Sequence, residues 1–243
     1  MKRVEIFNDN YNALGFGDTL NKLSYLYRLY ENTDVEFIFH DKRKIFENII
    51  FLKNFCLEEP KYKKTFIDSP HFLRTNDDFR LINHDYYPTR VKWNKKSDFL
   101  AINFYTNIKN LHKFEYNYEI NYQIEECKCF YEGDKIVDKF KTVELFTTDI
   151  ERGIKKLDSN PLSCLEKNMK ILSECSLFVT SEGGMAHLSR AMKVPTIIYF
   201  KKSDNYFCEF LNTFIDKKIQ KLVHTVEEMI DCIDYYFKHD KFN

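Results

Sequence analysis

The segment SLFVTSEGGMAHLSRAMKVPTIIYF, Ser176 to Phe200, limits the folds open to this chain more than any other stretch. The apolar run Leu177 to Thr180 reads as a buried strand, and it empties at once into Ser181, Glu182, Gly183 and Gly184. A helix over Gly183 to Met192 follows, then a second strand from Thr196 to Phe200 that ends on the polar KKSDN. Strand, helix and strand in such close succession is the unit of a parallel sheet. In such sheets the turn after a strand lies at its carboxyl end, where ligands bind. Two glycines let the backbone approach a ligand closely, and the N–H groups that open the helix point outward, so an anion such as a diphosphate suits the position. Glu182 stands at the mouth of the turn and can accept hydroxyl protons from a ribose or sugar. His187, one helical turn further on, can hydrogen-bond a phosphate or sugar oxygen. The residues also admit a plainer reading, in which Gly-Gly merely starts a helix and His187 satisfies a core contact.

The rest of the chain supplies neighbours for this unit. Val4 to Phe7 and Val35 to His40 read as strands, with helical patterns after each. The first of these patterns carries Leu20, Leu23, Tyr27 and Tyr30 on one face and has Asp18 as its cap; the second runs from about Lys42 to Asn54. From Cys56 to Lys96 the periodicity weakens around Pro60, Pro70 and Pro88. Phe99 to Tyr105 is a fresh apolar strand after the polar WNKKS, which places a domain boundary near residue 95. Leu111 to Lys141 shows no clear period, and Val143 to Thr147 reads as a strand. Asn160 and Pro161 open a helix with the stripe Leu162, Leu165, Met169 and Leu172. Thr225 and Glu228 form a capping box for a terminal helix with Val226, Met229, Ile230, Ile233 and Phe237 on its buried face.

Composition narrows the function classes. Thirty-seven basic residues cancel thirty-seven acidic ones, so no overall field draws the chain to nucleic acid or to an anionic membrane. No stretch approaches the roughly 20 apolar residues that span a bilayer. The start, MKRVEIFNDN, lacks the apolar region of a signal peptide. The seven scattered cysteines fit neither a disulfide framework nor a zinc site, Cys127 and Cys129 having no second pair at finger spacing. These features lead us to expect a cytoplasmic protein without a metal centre.

The turn and its surroundings resemble the family 9 glycosyltransferases, typified by the ADP-heptose:lipopolysaccharide heptosyltransferases. Their C-terminal lobe carries a helix, an apolar strand, Asp-Ser-Gly-Pro-Met-His, an Ala-rich helix and a Pro-containing strand. Aligned on the histidine, Glu182, Gly183, Gly184, Met185, Ala186 and His187 match that pattern, with glutamate for aspartate and glycine for serine. The likeness extends from Leu162 to Phe200. At the N-terminus LGFGDTLNKLSYLYRLYE resembles the family's Gly-Asp loop, with Gly15, Gly17 and Asp18 in the same order after a strand. The resemblance implies that Asp18 faces the acceptor as general base, a role a carboxylate can fill. After the strand AINFY, Asn107 and Lys109 occupy the loop in which the family often places a phosphate-binding lysine. The chain is shorter than a full-length heptosyltransferase, and Leu111 to Lys141 matches nothing in the family.

The resemblance implies an α/β protein of the GT-B kind, two Rossmann-like lobes with parallel sheets facing a cleft. Residues 1–95 would form the acceptor-side lobe, 96–222 the nucleotide-sugar-binding lobe, and 223–243 a C-terminal helix. Ser181, Glu182, Gly183, Gly184, Met185 and His187, with Asn107 and Lys109, would hold the donor. The expected partners are a nucleotide-sugar donor and a glycan or glycolipid acceptor, with no cofactor beyond the donor and no required metal. Three alternatives stand beside this: a nucleotide-sugar epimerase, a non-catalytic nucleotide-binding module, and transfer to a modified nucleobase, against which the zero net charge weighs.

Overall fold

Lys2 pairs with Val35 and Asn8 with Asp41, so β1 (Lys2–Asn8) and β2 (Val35–Asp41) run parallel along their whole length. β3 (Phe55–Glu58) continues that sheet in parallel on the far side of β2. The computed structural model describes residues 2–8, 17, 20, 35–41, 55–58, 91–103, 136, 139–146, 158, 160–181, 183–199 and 215–242. The chain divides into two units, Met1–Lys92 with Phe146–Met169, and Trp93–Leu145 with Lys170–Asn243. β1 to β3 belong to the first. Gly17 and Leu20 are helical and buried there; the helix expected from about Lys42 to Asn54 and the segment Leu111 to Lys141, apart from a few of its residues, lie outside the described residues.

The second unit is built on five parallel strands, β4 (Leu100–Asn103), β5 (Thr142–Glu144), β6 (Leu177–Ser181), β7 (Thr196–Tyr199) and β8 (Gln220–Val223). They lie in the order β5-β4-β6-β7-β8. Counted in chain order within the sheet this is second, first, third, fourth, fifth, one of the common doubly wound arrangements. All five residues of β6 and all four of β7 are buried. A strand covered on both faces needs apolar residues in succession rather than alternation, which is why LFVTS and TIIY read as continuous runs.

The two faces have separate cores. Leu100, Ile102, Leu177, Val179, Ile197, Tyr199 and Val223 pack against Val226, Met229, Ile233 and Tyr236 of α3 (Val226–His239), and Ile136 and Phe140 join them. On the other face Ile198 and Leu222 pack with Ala186 of α2 (Gly184–Met192) and with Ile215. This division follows from the strand order. A crossover between parallel strands is right-handed, so reversing the direction of travel across the sheet moves the connection to the other face. The path from β4 outward to β5 and the path from β6 onward to β7 run in opposite directions; Ile136 and Phe140, described residues of the first path, pack on the face of α3, and α2, on the second path, packs on the other.

Several local expectations are met, and several are corrected. Asn160 caps α1 (Pro161–Glu174), its Oδ1 accepting from the N–H groups of Leu162 at 3.0 Å and Ser163 at 3.1 Å. Leu165, Met169 and Leu172 are buried as expected, but Leu162 is only half-buried. Thr225 Oγ1 accepts from the Glu228 N–H at 3.1 Å; Glu228 Oε2 in turn accepts from the N–H of His224 at 2.7 Å, one residue before the cap. On α3 the buried face runs through Val226, Met229, Ile233 and Tyr236, and Phe237 is 41% exposed. Phe237 sits beyond the edge of that stripe and stacks on Phe140, ring centroids 6.1 Å apart. β8 was not foreseen, because IQKLVH mixes polar and apolar residues too evenly to stand out. The strand expected over Val143 to Thr147 leaves its ladder at Glu144.

Asn168 anchors the chain where it leaves β5. It is 3% exposed in the midst of the apolar stripe of α1, and its side-chain amide bonds the backbone of Phe146 twice, accepting from the N–H at 2.7 Å and donating to the carbonyl at 2.9 Å. Asn168→Leu keeps the branching of the side chain and adds apolar surface, yet it removes both bonds to the Phe146 backbone. Leaving such groups unsatisfied costs about 1–3 kcal/mol, so the variant should unfold at lower urea with an unchanged slope. A variant as stable as the parent would show that water replaces both bonds.

Candidate functional site

The connection from β6 to α2 holds the described part of the expected donor site. Ser181 ends β6 with 6% exposure, in register with Tyr199 of β7. β4 ends at Asn103, which pairs with Thr180, so the chain leaves β4 beside the same turn. β4 and β6 are the neighbours between which the strand order reverses, and in open parallel sheets the crevice at that point is where ligands bind.

Gly183 has φ 148° and ψ −169°, a backbone state essentially confined to glycine. Among the described residues, a Cβ placed there would meet nothing within 4 Å. The glycine therefore serves the backbone. Gly184 is the first residue of α2 and does not have a positive φ. Of the two glycines, Gly183 carries the conformational demand. It is also the position at which the resembling family has serine, a residue that would be strained at this φ, so the turn differs here from what the resemblance implies.

No side chain caps Gly183. Its carbonyl accepts from the N–H groups of Ala186 at 3.0 Å and His187 at 3.3 Å, closing the first turn. Helix geometry provides no intrahelical acceptor for the Gly184 and Met185 N–H groups, and the helix dipole adds about half a positive charge at this end. Met185 is half-buried and Ala186 buried, as an N-terminus with one face on the sheet requires.

α2 is tied down by polar contacts on its inner side. Ser189 Oγ donates to the Ala186 carbonyl at 2.9 Å, and the Thr196 hydroxyl at the start of β7 lies 2.9 Å from Ser189 Oγ and 2.8 Å from the Val194 carbonyl. Gln220, the buried first residue of β8, donates from Nε2 to the Ala186 carbonyl at 3.1 Å and accepts from the Asp216 N–H at 3.2 Å. Lys193 ends the helix in the left-handed region at φ 63°, with its N–H on the Arg190 carbonyl and the Val194 N–H on the Ser189 carbonyl. Its ammonium reaches Asp216 Oδ2 at 3.1 Å. These ties hold the helix, and with it the N–H groups at its head, in one position.

His187 lies 3.2 Å through Nδ1 from a terminal guanidinium nitrogen of Arg190. A guanidinium can only donate, so Nδ1 accepts and the imidazole proton resides on Nε2. His187 is half-buried by surface area, yet protein atoms crowd its ring. That desolvation, with the Arg190 charge beside it, lowers its pKa from 6.5 to about 3. Arg190 is 1% exposed and was not singled out in the sequence. Its only signal was a lone arginine in the otherwise apolar and small-residue run GMAHLSRAM. It brings a positive charge back toward the helix start.

Ser181, Gly183, Gly184, Met185 and His187 are thus brought together at the head of α2. Glu182, Gly15, Asp18, Asn107 and Lys109 lie outside the described residues, as do Cys127 and Cys129; Gly17 belongs to the first unit. Among the described residues no three His, Cys, Asp or Glu side chains gather where a metal ion would sit. Cys164, Cys175 and Cys232 are buried thiols, and burial pushes Cys175 up to about 12, far from a reactive thiolate. No described helix is long and apolar enough to cross a membrane. Compared with protein-family models, curated proteins and solved structures, the chain matches none.

The His187 environment makes a prediction about acid. An imidazole kept neutral in the folded protein regains its ordinary proton affinity on unfolding, so the unfolded chain binds more protons below pH 6.5. The contribution is complete above that pH and is lost toward about pH 3, with a slope of up to about 1.4 kcal/mol per pH unit. His187→Gln retains an acceptor for Arg190 without the titration. Urea unfolding at pH 4.5 to 7 should show the parent losing stability relative to the variant as pH falls; a constant difference would contradict this.

Proposed function

We propose that the protein binds the diphosphate of a nucleotide sugar at the head of α2 and transfers the sugar to a hydroxyl acceptor, as a glycosyltransferase of the GT-B kind. The observation that carries this reading is Gly183. Its glycine-only backbone stands clear of the other described residues beside two N–H groups that open a helix, at the carboxyl end of a central parallel strand and where the strand order reverses. A diphosphate needs several donors on a rigid backbone and a positive field behind them. Gly184 and Met185 supply the first; the helix dipole, Arg190 and the Nε2–H of His187 supply the second. Asn107 and Lys109, in the loop after β4, would add to it.

In the reaction the acceptor oxygen bonds to the anomeric carbon as the bond from that carbon to the diphosphate breaks. The diphosphate leaves with the electron pair, stabilised where charge develops. Asp18 takes the acceptor proton. The acceptor in this reading is a glycan or glycolipid, and no step requires a metal ion.

Titration calorimetry with ADP, UDP, GDP and CDP should find a nucleoside diphosphate whose binding to the parent depends on Gly183. Gly183→Val combines a strained φ with a side chain at the turn, so it should weaken that binding at least tenfold if it folds, which thermal melting checks. Undiminished affinity would place the diphosphate elsewhere. Incubation with the corresponding nucleotide sugar alone should give slow hydrolysis, and an epimerised sugar would overturn the transfer reading.

Asp18→Asn separates catalysis from folding. Asparagine caps a helix about as well as aspartate but cannot act as a base. Transfer should fall by roughly a hundredfold to ten-thousandfold while donor affinity and melting temperature hold. Near-full activity in a normally folded variant would assign the base to another residue.

A further inference from the structure

A cavity of about 700 Å³ opens at the opposite end of the five-stranded sheet from the Gly183 turn. Its lining includes Pro195 and Ile219, the residues that precede β7 and β8, so it sits at the amino ends of those strands. Lys217, Lys218, Lys221 and Lys241 line it, and Asp240 is the acidic residue among its lining residues. Asp240 is engaged with Lys95, Nζ to Oδ1 at 2.8 Å. A chain with no net charge has therefore set four lysines and one aspartate around one cavity, an excess of basic residues in its lining; Lys218 and Lys221 also have partners of their own.

Helix ends do not account for that excess. α2 and α3 both turn their carboxyl ends toward this end of the sheet, and Lys241 follows α3 directly. Two such ends amount to about one negative charge in total, and the effect fades within a helical turn. Lys217, Lys218 and Lys221 lie outside both helices, on the turn into β8 and on β8 itself.

The cavity also has an aromatic wall whose orientation is held. Trp93, the only tryptophan of the chain, donates from Nε1 to the Cys175 carbonyl at 2.7 Å and from its backbone N–H to the Met192 carbonyl at 2.9 Å. Tyr236 and Phe242 lie on the lining as well, ring centroids 5.0 Å apart. A volume of this size suits a small molecule, and an indole held by one hydrogen bond, on a backbone held by another, offers a surface for a flat ring. Lysines recognise phosphate as point charges.

We propose that this cavity is a second binding site, for a small ligand that joins a flat ring to a multiply charged phosphate group, the chemistry of a nucleotide. It is separate from the site at the head of α2 and does not depend on it. Lys217 and Lys241 take the phosphate, and Trp93 takes the ring.

Trp93 makes the test direct. Titration of the whole protein with ADP should change the tryptophan fluorescence saturably, and more weakly as salt is raised. Lys217→Gln with Lys241→Gln should weaken the response about tenfold, whereas Gly183→Val should leave it intact. Pyrophosphate and adenosine should each bind more weakly than ADP. No saturable response to ADP would overturn the proposal, as would a response unchanged by the lysine substitutions or one abolished by Gly183→Val. Equal binding of pyrophosphate and ADP would overturn the role of the ring. Failure at the α2 turn, read by calorimetry with Gly183→Val, would leave this result standing.

Discussion

The second unit depends on the complete burial of β6. Leu177, Phe178, Val179, Thr180 and Ser181 are all covered, and the strand pairs with β4 on one side and β7 on the other. A strand covered on both faces must have helices or connections on both, and parallel pairing forces those connections to cross over the sheet. α2 is one such connection, only nine residues long, and it starts as soon as β6 ends. The turn between them has almost no chain to spend, so its backbone adopts the state that Gly183 alone permits. A close-packed centre and a donor-rich turn are thus two consequences of one short crossover.

Polar groups inside the unit fix where that turn points. Burying Ser189, Thr196, Gln220 and Asp216 would cost stability if any were left without partners. They are instead bonded to one another, to the Ala186 carbonyl and to Lys193. Together these bonds join α2 to β7, to β8 and to the turn before β8. The neutral His187 and the buried Arg190 belong to the same arrangement, since the guanidinium sets the tautomer, and burial of the ring, with the guanidinium beside it, suppresses the second charge. Positive charge near the helix start therefore comes from the dipole and Arg190, and the imidazole is neutral.

The two ends of the sheet have different chemistry for a geometric reason. All strands of a parallel sheet point the same way, and helices that return to its start present their N-termini at the strands' carboxyl ends. Backbone N–H groups consequently collect at one end of the sheet. At the other end the helices finish in carbonyl groups, and positive charge there has to come from side chains, as it does with Lys217, Lys218, Lys221 and Lys241. One end offers backbone donors and the other offers flexible ammonium groups.

By itself the sequence determined those elements whose signals are local. Runs such as LFVTS and TIIY announce doubly buried strands, Asn160 and Thr225 announce helix starts through side chains that bond the next N–H groups, and Gly-Gly between strand and helix announces a tight turn. The parallel character of the sheet was legible from the alternation of strand and helix, and five of the residues expected to hold a donor stand together because they lie within one short stretch of chain. Strand order, and with it the face each helix covers, was decided only in three dimensions, because pairing partners are chosen by long-range packing that no local pattern encodes. The same holds for β8, whose mixed QKLV becomes a strand only beside β7, and for Phe237, left outside a stripe that Tyr236 fills. Arg190 and Asn168 look like surface residues in the sequence, and burial with specific partners gives them their roles. Of the two adjacent glycines, only the backbone angles distinguish the one that the turn requires, since glycine in sequence is silent about the sign of φ.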